Sequence, residues 1–104
     1  MVSAIAEKQA EVRALCARFG VERLEVFGSA ATDEGFDPRR SDLDFIVEFR
    51  PDQDLGPWLQ NYFAFREELS NLFGYSVDLV MSSAMKNPYF IREANRTRRL
   101  LYGA

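Results

Sequence analysis

No histidine occurs among the 104 residues, and this absence narrows the chemistry more than any other feature of the composition. Without imidazole there is no Ser-His-Asp or Cys-His nucleophile system and no histidine metal site. Cys16 is the only cysteine, so an internal disulfide and a cysteine zinc site are excluded, and its place in a helical apolar stripe makes it core filler. No apolar run approaches the roughly 20 residues needed to cross a bilayer, and the opening Met1-Val2-Ser3-Ala4-Ile5-Ala6-Glu7-Lys8 lacks a signal peptide's basic and long apolar regions. The expected location is therefore cytoplasmic, with no membrane partner. Repeats, linkers and low-complexity tracts are also missing, so residues 1–104 are expected to form one domain. Carboxylates, hydroxyls, arginines and hard cations such as Mg2+ or Mn2+ remain to carry any chemistry.

What is present is an ordinary globular composition, 47% apolar and 28% charged, which argues against disorder. The charge is uneven. Residues 1–85 carry eight basic and fifteen acidic side chains, net −7, whereas residues 86–104 carry five basic and one acidic, net +4. Lys86, Arg92, Arg96, Arg98 and Arg99 could face a phosphate-bearing ligand, a nucleic acid or an acidic partner protein, or simply form a solvated helix face. The acidic total argues against non-specific nucleic-acid binding, which rests on neutralising many phosphates.

Apolar periodicity orders the elements. Ser3 is placed to cap a first helix with Ile5, Val12, Leu15, Cys16 and Phe19 on one side, and Gly20 stops it. Val21 to Phe27 alternates Leu24 and Val26 against Arg23 and Glu25, a strand that leads into Gly28-Ser29. After a loop from Thr32 to Arg40, a second strand alternates Asp42, Asp44, Ile46 and Glu48 against Leu43, Phe45, Val47 and Phe49, the latter being the core face. Pro57 suits the first turn of a helix whose stripe is Trp58, Tyr62, Phe65, Leu69, Leu72 and Phe73, ending at Gly74. Tyr75 to Met81 reads as a third strand with Asp78 opposite the Val77, Leu79 and Met81 face. Asn87-Pro88 starts a last helix through about Arg96, and Arg99 to Tyr102 is a short terminal strand.

Three of these features carry chemistry. A glycine lets backbone N–H groups approach a phosphate closely, and Ser29 adds a hydroxyl donor. Asp42 and Asp44 lie about 7 Å apart along one face of a strand. They can converge on a pair of divalent ions about 3.5–4 Å apart. Asp78 is an acid inside an apolar strand, costly to bury without a partner, so it belongs at a site, in a pair or at a sheet edge. Should its strand lie beside Asp42 and Asp44, three negative charges form one cluster for which a divalent cation is the usual remedy. Arg39 and Arg40, at the end of the loop, are candidates to neutralise a triphosphate, the alternative being a solvated loop tip.

Gly28-Ser29, then Asp42-Leu43-Asp44, then Val77-Asp78-Leu79-Val80, in that order and closed by the Ile91-Arg92-Glu93-Ala94 helix, resembles the nucleotidyltransferase superfamily that includes DNA polymerase beta. Over residues 21–104 the chain looks like a minimal nucleotidyltransferase (MNT), the antitoxin of HEPN/MNT toxin–antitoxin pairs. The resemblance implies an α/β (α+β) fold, a small mixed β-sheet with helices packed mainly on one face. It also implies transfer of AMP from ATP to a hydroxyl, with release of pyrophosphate. In minimal members the acceptor is a tyrosine of a HEPN ribonuclease toxin, silenced by the modification, so the implied partners are a HEPN toxin and a nucleoside triphosphate in a homo- or hetero-oligomer. On this likeness Gly28 and Ser29 hold the triphosphate, Asp42 and Asp44 ligate two Mg2+ ions, and Asp78 ligates the catalytic one and helps deprotonate the acceptor.

The sequence departs from the family pattern after Gly28-Ser29. Ala30-Ala31-Thr32-Asp33 stands where many relatives have an arginine and a second glycine, and the spacer to the double aspartate is long. Arg39 or Arg40 would then compensate. Two other readings stay open: an antitoxin that masks its toxin without catalysis, and a nucleotidyltransferase acting on a small molecule.

Overall fold

The computed structural model describes residues 1–103. They form helices α1 (Ser3–Ala6) and α2 (Gln9–Arg18), strand β1 (Val21–Phe27), the one-turn helix α3 (Ser29–Thr32), β2 (Leu43–Phe49), α4 (Gln60–Phe73), β3 (Val77–Met81), α5 (Pro88–Thr97) and β4 (Arg99–Tyr102). The four strands make one mixed sheet in the order β3-β2-β1-β4. β1 pairs antiparallel with β2 and with β4, while β2 and β3 are parallel and joined through α4. A parallel pair needs such a crossover, whereas antiparallel neighbours do not.

The alternation along the strands sets two unequal faces. Leu24, Val26, Leu43, Phe45, Val47, Leu79 and Leu101 point to one side, where Ile5, Val12, Cys16, Phe65, Leu69 and Phe73 of α1, α2 and α4 cover them. The Phe45 and Phe73 rings stack at 5.8 Å, and Phe19 meets Phe65 at 5.5 Å. Each fully buried side chain here contributes about 1.5–3 kcal/mol of transfer free energy. The opposite face has a smaller cluster of Phe27, Ile46 and Ala94, with Val80, Met85 and Phe90 against it, and α5 is its cover. Asn87 caps α5 by accepting the Tyr89 and Phe90 N–H groups at 2.9 and 3.3 Å, as its place before Pro88 leads one to expect.

Several local expectations are corrected. The first helix is two helices, broken at Glu7 and Lys8. Ser3 does not cap it: Val2 is the residue before α1, buried, with its N–H bonded to the Ala30 carbonyl at 2.8 Å, and that contact sets where the helix begins. Pro57 lies in a separate 3-10 turn, and Trp58 leaves the apolar stripe altogether. Trp58 and Leu59 take left-handed backbone angles (φ 58 and 55), so the helical register starts afresh at Gln60 and Trp58 is 93% exposed. The start of α4 is held instead by Asn61, whose N–H reaches the Leu55 carbonyl and whose side-chain amide donates to the Phe19 carbonyl at 3.0 Å.

Glu25, on the strand face opposite Leu24 and Val26, is only 5% exposed. Its carboxylate accepts two hydrogen bonds from Arg98, at 2.6 and 2.9 Å, and one from Arg23 at 3.2 Å. Burial of this charge is tolerable because it is paired on both oxygens. Of the basic C-terminal residues, Arg98 is therefore part of the fold, while Lys86, Arg92, Arg96 and Arg99 remain exposed.

Candidate active site

β2 and β3 run side by side with Asp44 directly opposite Asp78. Asp42 sits just before β2, and the pairing of Phe27 with Asp44 brings the end of β1 to the same place. The topology thus assembles Gly28 and the three aspartates, separated by up to 50 residues in the chain, at one end of the α5-covered face. Asp78 lies on an edge strand and is exposed, as is Asp42, while Asp44 is half-buried.

Asp44 reports its surroundings. Burial, then the negative charges of Asp78 and Asp42, push its carboxyl up to about 6. Among the described residues no ion pair or side-chain hydrogen bond relieves any of the three aspartates. Nor do any three acidic or cysteine side chains among them already close into a cation cage. The arrangement is an open, under-compensated set of hard oxygen donors, the donor type that Mg2+ takes when it keeps several waters and completes its shell with substrate phosphates.

Gly28 is needed where it stands. Its φ of 72 is favoured only for glycine, and a Cβ there would come within 2.8 Å of Asp44 Oδ2. Any side chain would push against the central carboxylate. The Gly28 N–H donates to Thr97 Oγ1 at 2.8 Å, across 69 residues of chain. Ser29 follows as the first residue of α3.

Arg39 and Arg40 form no ion pair with the three aspartates among the described residues. Both lie on an exposed turn, where Asp37 accepts the Arg39 backbone N–H at 2.9 Å and stands 4.0 Å from Arg40 Nε. The same sheet face holds a recess of about 360 Å³, but its walls are Arg23, Glu25, Ile46, Glu48, Ser82 and Arg98 rather than the aspartates. Three of its four charged groups, Arg23, Glu25 and Arg98, are already paired with one another, so this hollow is distinct from the cluster of unpaired aspartates. Thr97 was not singled out by sequence reasoning, since nothing local marks a threonine at a helix end as the partner of a distant glycine.

A family model described as a nucleotidyltransferase domain matches residues 11–101. The chain belongs to this nucleotidyltransferase family. It is 38% identical over 72 residues to a Methanocaldococcus jannaschii protein named as a candidate protein adenylyltransferase, covering 69% of this chain and 67% of that protein. It is 39% identical over 70 residues to the protein adenylyltransferase MntA of Thermococcus cleftensis, covering 67% and 65%. The matches thus span about two thirds of the length of these curated relatives. Among solved structures, the MNT antitoxin in complex with a tri-AMPylated Shewanella oneidensis HEPN toxin superposes with a TM-score of 0.65 at 15% identity, covering 96% of this chain and 73% of that one. At that identity the likeness establishes the fold, and the mixed sheet and helices of this nucleotidyltransferase agree with it.

Proposed function

We propose that this nucleotidyltransferase is an antitoxin that transfers AMP from ATP to a hydroxyl, a tyrosine in the first instance, of a HEPN-type toxin. The observation that carries the reading is the placement of Asp44 opposite Asp78, with Asp42 alongside and no cation paired to any of them. Two relatives named as protein adenylyltransferases, and a fold shared with an MNT antitoxin bound to its HEPN toxin, support the choice of acceptor.

The reaction balances simply. The acceptor oxygen attacks the α-phosphorus, the bond from that phosphorus to the β-phosphate bridging oxygen breaks, pyrophosphate leaves, and the hydroxyl proton passes to a carboxylate. Asp78, exposed on the edge strand, is open to a hydroxyl carried by another protein and is the residue assigned to receive that proton. Asp42, Asp44 and Asp78 would hold Mg2+, which when bound stabilises attacking and leaving oxygens and lowers the pKa of a hydroxyl. Gly28 gives the triphosphate room to approach the backbone, Ser29 supplies a hydroxyl donor, and Arg39 or Arg40 would have to swing in from the loop to reach a phosphate.

A second reading, neutralisation of the toxin by binding alone, is favoured by two details: the Gly28 N–H is engaged by Thr97, and Arg40 lies beside Asp37. Incubation of the chain with its HEPN partner, radiolabelled ATP and Mg2+ separates the two. Label on the partner that disappears with Asp42→Asn, Asp44→Asn supports AMP transfer; a stable complex without label, still neutralising the toxin, selects masking.

A further inference from the structure

We infer that Thr97 is a positioning residue for the nucleotide loop, a role that rests on the reading of Gly28 and Ser29 as that loop. The Thr97 hydroxyl accepts the Gly28 N–H at 2.8 Å and directs its own proton toward the Ala94 carbonyl at 3.4 Å. Its acceptor side therefore faces the loop and its donor side faces back into α5. A glycine has no side chain with which to hold itself at a positive φ; the Gly28 and Ser29 carbonyls are tied to Ala31 and Asp33 on the α3 side, and the Thr97 hydroxyl is what holds the Gly28 N–H. The hydroxyl supplies that constraint from a rigid base. α5 is capped by Asn87 at one end, packed by Phe90 edge-on against Phe27 at 5.7 Å, and followed at once by Arg98 bonded to Glu25.

Two consequences follow for the site. The Gly28 N–H is not itself a phosphate donor, because Thr97 already accepts it; Gly28 contributes open space and Ser29 is the loop residue that meets phosphate. The same bond also sets the Gly28 backbone against Asp44, since a Cβ on Gly28 would lie 2.8 Å from Oδ2. Thr97 thus keeps the loop in register with the central carboxylate while touching neither substrate nor metal.

The test compares Thr97→Val, which keeps the shape and removes the hydroxyl, with Thr97→Ser, which keeps the hydroxyl. Two readouts are taken at a temperature where circular dichroism shows every variant folded: amide exchange at Gly28 by NMR, and affinity for α,β-methylene ATP with Mg2+ by titration. Loss of one hydrogen bond predicts Gly28 exchange and the dissociation constant each rising about three- to tenfold in Thr97→Val. Thr97→Ser should return both to within about twofold. Gly28 exchange that ignores the hydroxyl overturns the proposal, and so does altered exchange with unchanged affinity. Should exchange respond as expected while the wild-type chain binds no nucleotide, the loop reading itself has failed and the proposal falls with it.

Discussion

Glu25 and Asp44 stand on the same face of the same sheet, on neighbouring strands, and the structure treats them in opposite ways. Glu25 is buried and doubly paired, and its hydrogen bond from Arg98 holds its carboxyl below the usual range despite burial. Asp44 is pushed up to about 6, first by burial and then by the negative charges of Asp78 and Asp42, and no cation answers it among the described residues. One carboxylate closes β1 to the turn after α5; the other is left under-compensated beside a glycine whose missing side chain leaves its Oδ2 uncrowded. The contrast singles out Asp44 as the unrelieved acid of this face, which is what the proposed role requires of it.

The largest expected effect comes from breaking the open side. Asp42→Asn with Asp44→Asn should lower AMP transfer by on the order of a thousandfold or more, while the thermal midpoint without nucleotide holds or rises, as relief of like-charge repulsion requires. Label transfer and thermal unfolding on the same preparation check both halves. Breaking the paired side should do the reverse. Glu25→Gln leaves two guanidinium groups facing a neutral amide and should cost about 2–4 kcal/mol in urea unfolding, with transfer retained wherever the variant is folded.

The paired side also has a defined pH dependence. Because the folded-state pKa of Glu25 is lowered from its ordinary 4.5, its stabilisation is fully present above that ordinary value and is lost as pH falls through the depressed one. Urea midpoints of wild type and Glu25→Gln should therefore differ at pH 6 and converge toward pH 2. A difference that grew on acidification would contradict the pairing. The smallest effect tests what the two acids share. Asn87→Ala removes the cap of the helix above both and should cost about 1 kcal/mol, measured as a lower unfolding midpoint without selective loss of transfer.

How much of this was legible in the sequence differs between the two sides for a physical reason. The alternation of Asp42 to Phe49 and the glycine turn depend on nearest neighbours along the chain, and the β2 core face and the last helix with its Asn87 cap stand where those patterns put them. For Glu25, alternation says only that it points away from Leu24, not whether that side is covered. Its burial is created by Arg98, 73 residues on. The Thr97 contact with Gly28 is hidden for the same reason. Trp58 and Leu59 defeat the helical pattern differently: apolar spacing predicts a stripe, but two left-handed residues rotate the chain before the helix begins. The three aspartates could be named individually from sequence, whereas the parallel register that sets Asp44 against Asp78 is a property of the sheet.

The most direct test of the central claim is the initial rate of AMP transfer from labelled ATP to the HEPN partner by wild type, Asp44→Asn and Glu25→Gln, each at a temperature where it is folded. The account predicts that Asp44→Asn is inactive though stable, and that Glu25→Gln transfers AMP at close to the wild-type rate though it melts earlier. Transfer that survives Asp44→Asn, or that fails equally in folded Glu25→Gln, would contradict it.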